Sequence, residues 1–220
     1  YNHWMGVARF FRGFEYCRLV ETFGDVPYYS KSITDADTDE MYKDRTPRNE
    51  VMGYVYEDFD FALNNIRKND GTQYLNRYIA AGFISRLMLF EGTWQKYHKS
   101  DTELAKKYLT QAKEAGELVL GNNQWQISSD FKSLFGSMDL SGNKEVLMYR
   151  HYDAGVSVTH CVASYSNGAE SQGGATLALA KSFICNDGKV YQNSTLADAD
   201  NLDIENMAKT RDPRFEATFW

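Results

Sequence analysis

The chain has 220 residues, a formal net charge of −6 and 43% hydrophobic residues, a composition typical of a globular protein with one or two cores. No apolar run approaches the roughly 20 residues needed to cross a bilayer, and no cluster of Lys and Arg offers a surface for a nucleic-acid backbone. The sequence therefore excludes a membrane-spanning helix and argues against nucleic acid as a partner.

The ends of the chain and its cysteines add two expectations. The sequence starts at Tyr1 without a methionine or a signal segment and stops at Trp220 without a polar tail, so we expect a fragment of a longer protein. Cys17, Cys161 and Cys185 are too few and too unevenly spaced for a disulfide framework. They do not identify the redox compartment.

The first predicted helix runs from Trp4 to Phe23, because apolar residues recur there every three or four positions. Gly24 and Pro27 end it, since glycine accepts the left-handed conformation and proline prevents a restart. The predicted buried stripe is Trp4, Val7, Phe11, Phe14, Cys17 and Val20. Cys17 is accordingly interpreted as a small core residue.

The second predicted helix begins with Thr46 as N-cap and Pro47 at the first helical position. The Asn69-Asp70-Gly71 cluster ends it. Its apolar stripe is Val51, Val55, Phe59, Ala62 and Ile66.

The third predicted helix extends from Arg77 to Lys99, and the fourth follows at once because Ser100 and Glu103 have the spacing of a capping box. Gly121 ends the fourth helix. The stripe of the third helix is Ile79, Phe83, Leu87, Phe90 and Trp94. The stripe of the fourth is Leu104, Tyr108, Ala112, Ala115 and Val119. The short connection requires the two helices to fold back on each other.

These patterns predict a mainly α fold. Small residues occur in the third and fourth helices, where two helices can approach closely. The pair from Tyr78 to Gly121 is similar to a tetratricopeptide unit somewhat longer than the usual period of about 34 residues. We expect tetratricopeptide-like stacked helical hairpins over 1–121.

The pattern changes after Gly121, and we expect 122–220 to be an irregular, loop-rich region with little β structure that continues the same domain. Its one predicted strand is Glu145 to Arg150, and His151 to Ala175 has neither helical nor strand period. A loop of about 25 residues is more often functional than idle. A short helix is predicted from Thr176 to Ile184, followed by a turn at Asn186-Asp187-Gly188.

The sequence lacks the short motifs that usually accompany catalysis. It contains no GxSxG, HExxH, GxxxxGK[ST] or GxGxxG, and its four histidines are far apart and lack known metal-ligand spacing. Asp35, Asp37 and Asp39 imitate the start of a calcium loop, but Glu40 and Thr46 occupy positions that an EF-hand gives to glycine and a bidentate acid. We expect neither a cofactor nor a metal site.

Five segments, in the same order along the chain, resemble the SusD/RagB family of outer-membrane glycan-binding lipoproteins of Bacteroidetes. They are ARFFRGFEYCRLVETFGDVPYY from Ala8, RTPRNEVMGYVYEDFDFALNNI from Arg45, AAGFISRLMLFEGTWQK from Ala80, DFKSLFG with NKEVLMYR between Asp130 and Arg150, and SFICNDGKVY with RDPRF near the end. The FGDVP that ends an Arg- and aromatic-rich helix is the most specific of these motifs.

The resemblance implies a tetratricopeptide-like scaffold that binds a glycan at the cell surface without catalysis. It also implies delivery of that glycan to a TonB-dependent transporter of the SusC type, and attachment to the outer membrane by a lipid. The signal peptide and the lipid-bearing cysteine of the family are missing from this sequence, and family members continue well beyond its C-terminus. Part of the family's binding region is therefore expected to be absent.

Two groups of residues are predicted to contact the glycan, because aromatic rings suit the apolar faces of sugars while polar atoms bind their hydroxyls. The first group is Tyr28 and Tyr29, displayed with Asp25 after the first helix. Packing of these two tyrosines against the scaffold is the alternative. The second group lies in the long loop: Tyr152, His160, Tyr165 and Asn167.

Two other functions stay open at this stage. A tetratricopeptide adaptor that binds peptides would show regular repeats, which the region after Gly121 lacks. An all-helical glycoside hydrolase would need two carboxylates about 5 to 9.5 Å apart, and this separation depends on the fold rather than on sequence spacing.

Overall fold

The computed structural model describes residues 1–70, 74–167 and 173–219, apart from the side chains of Ala163 and Asn167. The chain divides into two compact units, Tyr1–Gln126 and Ile127–Trp220. The described residues form helices, turns and isolated β-bridges, with no named strand among them. The mainly α fold class is confirmed, whereas the predicted domains 1–121 and 122–220 stay a prediction.

The first unit contains five helices among its described residues: α1 (Asn2–Phe23), α2 (Thr38–Met41), α3 (Arg48–Asn65), α4 (Arg77–Trp94) and α5 (Thr102–Leu120). α4 continues into a π-helical turn, Gln95–Lys99, after which Ser100 has a left-handed backbone with φ of 55°. The four long helices lie close to their predicted positions.

α1 and α3 are antiparallel and in close contact. Gly6 faces Ile66, and Gly13 faces Phe59. Moving seven residues forward along α1 therefore moves the contact seven residues backward from Ile66, as antiparallel helices require. A Cβ atom added to Gly13 would lie 2.6 Å from the Phe59 ring, so only glycine allows this approach.

α4 and α5 form the second antiparallel pair, as predicted for the hairpin from Tyr78 to Gly121. Gly92 faces Leu109, with 2.6 Å between an added Cβ atom and Leu109 Cγ. The Ser85 hydroxyl donates a hydrogen bond of 2.8 Å to the Ala112 carbonyl. Small and hydroxyl-bearing residues therefore set the distance between these helices.

The predicted stripe of α3 is confirmed, since Val51, Val55, Phe59, Ala62 and Ile66 are all fully buried. They form one core with residues of the other long helices. The deepest members from α4 and α5 are Ala80, Ala81, Ile84, Met88, Tyr108 and Ala115.

The predicted stripe of α1 is wrong in part. Cys17 and Val20 are buried as expected, but Trp4 and Phe11 are 58% and 50% exposed, and Phe10 is buried instead. The buried side of α1 also contains His3, Gly6 and Gly13, which an apolar pattern does not count. A helix turns by about 100° per residue, so choosing Phe11 in place of Phe10 moves the predicted face toward solvent.

The predicted stripe of α4 also needs correction. Ile79 is buried, but Phe90 is exposed, and Phe83, Leu87 and Trp94 are only half-buried. The side that packs most tightly carries the smaller residues Ala80, Ala81, Ile84, Met88 and Gly92. Close contact with α5 requires small side chains, so the bulky aromatics lie away from it.

Two predicted helix caps are replaced by neighbouring residues. Pro47 rather than Thr46 precedes the first helical residue of α3, and the Asp25 carboxylate accepts a hydrogen bond of 2.8 Å from the Arg48 N–H. At the start of α5, the Asp101 carboxylate accepts from the Leu104 N–H at 2.9 Å, in place of the predicted capping box. Asp25 thus stabilises α3.

A bidentate ion pair joins α1 and α3 to the segment after α1. Arg12 Nε and Nη2 donate to the two carboxylate oxygens of Asp58 at 2.7 and 2.6 Å, and Asp58 is only 2% exposed. Arg12 Nη1 donates to the Ser30 carbonyl at 3.1 Å. The hydrogen bonds to Asp58 raise the pKa of Arg12. The Arg12 guanidinium therefore links α1, α3 and the segment that contains Ser30.

A second buried ion pair joins α3 to α4. Arg48 Nη2 donates to Glu91, while Arg48 Nη1 donates to the Val20 carbonyl at 3.2 Å. The Gln95 amide donates to Glu91 at 2.7 Å and to Asn49 at 2.8 Å. Since α1, α3 and α4 all contribute, this network fixes their relative positions.

The second unit consists of short elements. Its α-helices are α6 (Phe131–Phe135), α7 (Val162–Asn167), α8 (Leu177–Ser182), α9 (Ile204–Thr210) and α10 (Pro213–Phe219). Two 3₁₀ turns span Ala154–Val156 and Tyr191–Asn193. Among the residues of this unit that the structure describes, the buried apolar ones are Cys185, Ala199, Met207 and Phe215.

The prediction of a strand from Glu145 to Arg150 is wrong, because these residues are turns and irregular chain. A strand needs a neighbour for its hydrogen bonds, and the bridges in the described residues lie elsewhere. The predicted loop from His151 to Ala175 contains α7 and a 3₁₀ turn, and its residues 168–172 lie outside the described part. α8 confirms a helix after Thr176, whose hydroxyl caps it.

The close packing at Gly92 gives a first prediction. Gly92→Ala would press a methyl group onto Leu109 Cγ and the Leu109 backbone. We expect the free energy of unfolding to fall by about 1 to 3 kcal/mol, the usual result of overpacking. Urea denaturation followed by circular dichroism measures it.

Gly53→Ala is the matched control, because Gly53 lies inside α3 and an added Cβ atom meets nothing within 4 Å. This change should raise stability by about 0.5 to 1 kcal/mol through helix propensity alone. Equal effects of the two substitutions would contradict the packing of α4 on α5.

The ion pair gives a second prediction. Arg12→Met leaves the buried Asp58 carboxylate with one cation among the described residues, Arg9, whose Nε is 3.9 Å away. We expect a loss of about 3 to 5 kcal/mol in the free energy of unfolding, the usual result of breaking a buried pair. Faster proteolysis between α1 and α3 should accompany it, because Ser30 loses its contact with Arg12.

Arg18→Met on the same helix is the control. Arg18 pairs with Glu15, 3.2 Å away on the exposed side of α1, so its loss should change stability by less than about 1 kcal/mol. A similar small effect of Arg12→Met would show that the Asp58 pair does not hold these segments together.

Candidate functional site

The segment that carries Tyr28 and Tyr29 is fixed at both ends. Gly24 ends α1 with a positive φ of 72°, a conformation that favours glycine. Val26 and Thr46 then form an antiparallel bridge through hydrogen bonds of 3.3 and 3.0 Å. The Tyr28 N–H also donates to the Thr46 hydroxyl at 3.3 Å. The two tyrosines therefore follow directly from a constrained turn.

The Tyr28 ring takes part in an aromatic stack. It lies parallel to the Tyr54 ring, with 4.4 Å between centroids and 18° between planes, and it is 4.9 Å from the Tyr16 ring. The Arg12 guanidinium lies 5.8 Å from its centroid. Burial raises the pKa of Tyr28. Tyr28 thus packs partly against the scaffold, while Tyr54 is at the exposed side of the stack.

Tyr29 is held by its backbone and by a lysine. Its N–H donates to the Tyr16 hydroxyl at 2.7 Å, and the Lys43 ammonium lies 4.2 Å from its ring centroid. Lys43 also donates to the Tyr28 carbonyl and, at 3.1 Å, to Glu40. Tyr29 is half-buried, and one side of its ring carries a cation.

In the second unit, a tight turn brings Tyr152 and His160 together. Asp153 and Val158 exchange hydrogen bonds of 2.9 and 3.0 Å across the turn, and Ser157 inside it has a positive φ of 60°. The two rings meet edge to face, with centroids 4.7 Å apart. The Arg150 guanidinium lies 5.2 Å from the Tyr152 ring. An exposed cluster of phenol, imidazole and guanidinium results.

The other two predicted loop residues lie in α7. Tyr165 is 41% exposed, and its carbonyl accepts a hydrogen bond of 3.0 Å from Gly173. Among the rings that the structure describes, none of the close contacts joins Tyr165 to Tyr152 or His160. Asn167 ends α7, and its side chain lies outside the described part. The role of all six predicted residues in binding stays a prediction.

Sequence reasoning missed five residues that shape these clusters: Tyr54, Arg12, Tyr16, Lys43 and Arg150. Tyr54 follows the confirmed core position Val51 by three residues but lies at the edge of the buried face of α3. Arg12 and Tyr16 are one helical turn apart on α1, a spacing that places both on one side. The spacing of Arg12 and Tyr16 could have indicated a shared polar and aromatic side of α1. No local sequence pattern identifies Lys43.

Neither cluster is suited to hold a metal ion. Within the described residues no three His, Cys, Asp or Glu side chains lie close enough together to ligate one. In the part of the chain that the structure describes, no helix is long and apolar enough to cross a membrane. The chemistry that the clusters offer consists of ring faces, ring edges, cations and hydrogen-bonding groups.

The chain is similar to a curated protein from Formosa agariphila named SusD-like protein P2. The two are 27% identical over 154 residues, which cover 68% of this chain and 27% of that protein. The matched region is thus a minor part of the relative. No family profile matches the chain, and no solved structure does. This similarity supports the resemblance of the chain to the SusD/RagB family.

Proposed function

We propose that the protein binds a glycan at the cell surface without chemically altering it. The observation that carries this proposal is the similarity to a SusD-like protein over 154 residues. Glycan binding is the role associated with the family that the sequence resembles. No cofactor is needed for such a function.

The exposed aromatic clusters support the proposal on physical grounds. A sugar presents an apolar C–H face and several hydroxyl groups, so its site needs exposed rings beside polar groups. Tyr152 is 43% exposed and lies beside His160 and Arg150, which can bind hydroxyl oxygens. Tyr165, nearby in sequence, supplies a second exposed ring. This loop is therefore the proposed location of the main ligand contacts.

The stack of Tyr16, Tyr28 and Tyr54 supports a smaller role for the first predicted group. Tyr28 lies against Tyr54 on one side and Tyr16 on another, which limits the ring surface left for a ligand. The other rings of this surface are Tyr29, which is half-buried with Lys43 over its ring, and Tyr54, which is 39% exposed. We therefore place the main stacking contacts at Tyr152 and Tyr165.

Binding fits the observed carboxylates better than hydrolysis does. A glycoside hydrolase needs one carboxyl group to donate a proton and a second to act as base or nucleophile. In the described part of the first unit, the two buried carboxylates are Asp58 and Glu91, and each is bound by an arginine. The irregular second unit also differs from the regular repeats of a peptide-binding adaptor.

The proposed partner is a SusC-like, TonB-dependent transporter in the outer membrane. A protein that only captures a sugar needs a neighbour that removes it, and enclosure between two proteins would raise the effective concentration of the ligand. The proposed location is the outer membrane, with the protein held at the cell surface by a lipid anchor.

The loop assignment is tested by calorimetry on a glycan identified by array screening of the full-length protein. Tyr152→Ala and Tyr165→Ala should each weaken binding by about 1 to 3 kcal/mol, or roughly 5- to 150-fold, as the loss of other ring-stacking contacts does. Tyr97→Ala is the control, since Tyr97 is exposed but lies in neither cluster. Unchanged affinity in both loop variants would show that the ligand binds elsewhere.

The transporter and the lack of catalysis are tested together on the native protein. Mild-detergent purification of the full-length lipoprotein from its outer membrane should co-purify a large β-barrel protein. The purified lipoprotein should leave a labelled oligosaccharide intact. Recovery of the lipoprotein alone would argue against the transporter, and release of shorter sugars would favour the hydrolase.

A further inference from the structure

Arg211, the first residue of the RDPRF segment, is only 1% exposed and lies between α9 and α10. Backbone hydrogen bonds on both sides fix its position. The Asn186 N–H donates to the Thr210 carbonyl, and the Asp212 N–H donates to the Ile184 carbonyl, each at 2.9 Å. The segment lies apart in sequence from the residues proposed to contact the glycan.

One edge of the Arg211 guanidinium has partners. Nη1 donates to the Thr210 hydroxyl at 3.0 Å and lies 3.3 Å from Cys185 Sγ. The Thr210 hydroxyl donates to the Asn206 carbonyl at 2.8 Å, so its oxygen is free to accept from the arginine. The guanidinium carbon is 5.6 Å from the Tyr191 ring centroid. None of these groups is a carboxylate.

The other edge of this guanidinium, formed by Nε and Nη2, is buried and has no hydrogen-bond acceptor among the described residues. The nearest carboxylate in sequence, Asp212, is occupied by Arg214 through two hydrogen bonds of 2.8 Å. Asp187 accepts instead from Thr195 and Ser194. A buried cation without a counter-charge is strongly unfavourable.

Elsewhere in this chain the same edge of a guanidinium binds a carboxylate. Arg12 uses Nε and Nη2 for Asp58, and Arg214 uses Nε and Nη2 for Asp212. This edge presents two parallel N–H groups that match the two oxygens of a carboxylate. We propose that the Nε and Nη2 edge of Arg211 is the binding site of a carboxylate that the described residues do not supply.

Two sources can provide this carboxylate. A small free carboxylate could reach this edge only through a local opening of the structure, because the edge is buried. The flanking helices α9 and α10 have only seven residues each, so local opening there costs less than opening of a long packed helix. An acidic side chain of another polypeptide segment would be placed there during folding. Both sources make the same two hydrogen bonds, and they differ in when the bonds form.

The test is a nuclear magnetic resonance experiment on the full-length protein with isotope-labelled arginine. The Nε–H proton of Arg211 is recorded in a buffer whose only added anion is chloride, then during titration with acetate at constant ionic strength. A bond to a carboxylate shifts this proton downfield and slows its exchange with water. Arg12 and Arg214, whose Nε–H groups bind Asp58 and Asp212, provide reference positions within the same spectrum.

A downfield, acetate-independent Arg211 signal in chloride identifies an acidic side chain of the protein as the source. A signal that moves downfield on addition of acetate identifies a site for free carboxylates. A signal that stays at the position of water-bonded surface arginines in both buffers overturns the proposal. Arg211→Lys assigns the signal by its loss, and Arg214→Lys, close by at the surface, should leave it in place. If Arg211→Lys does not fold, scalar couplings from the backbone assign the signal in the unmodified protein.

Discussion

The ion pair between Arg12 and Asp58 is the interaction on which the arrangement of the first unit around Tyr28 depends. It is bidentate, and its carboxylate is buried although the Arg12 side chain is 29% exposed, so it joins α1 to α3 with a defined geometry at this point. The third hydrogen bond of Arg12, to Ser30, extends this constraint to the segment after α1. Tyr28 lies in that segment and stacks on Tyr54 of α3, so the aromatic contact joins the same two elements as the ion pair of Arg12. An electrostatic contact thereby orders an aromatic surface.

Much of the helical fold could be predicted from the sequence, because apolar spacing is a local property. The stripe of α3 matched the structure at all five positions, from Val51 to Ile66. The stripe of α1 did not, since glycines at Gly6 and Gly13 face α3 and carry no apolar signal. The strand expected at Glu145 to Arg150 failed for a related reason: its composition favours a strand, but pairing requires a partner that composition does not reveal.

The candidate clusters were predictable only in part. Tyr152 and His160 were chosen for their residue types, and the turn through Asp153 and Val158 then brings their rings into contact. The exposed side of the first cluster belongs to Tyr54, which is 26 positions from Tyr28 and shares no local pattern with it. Long-range contacts of this kind decide which ring faces are open, so residue type alone overstated the surface of Tyr28.

The buried arginines indicate where the fold depends on groups distant in sequence. Arg12 and Arg48 each bind a carboxylate from another helix, 46 and 43 positions away. Apolar stripes allow two helices to pack in several registers. Each of these ion pairs can form in one register only, so the pairs add specificity that hydrophobic contact lacks. Arg211 is more deeply buried than either of them, but its local partners Thr210 and Cys185 leave half of the guanidinium without a hydrogen bond among the described residues. By the parallel with Arg12 and Arg48, a carboxylate on the open edge of Arg211 would fix the packing of the short helices of the second unit.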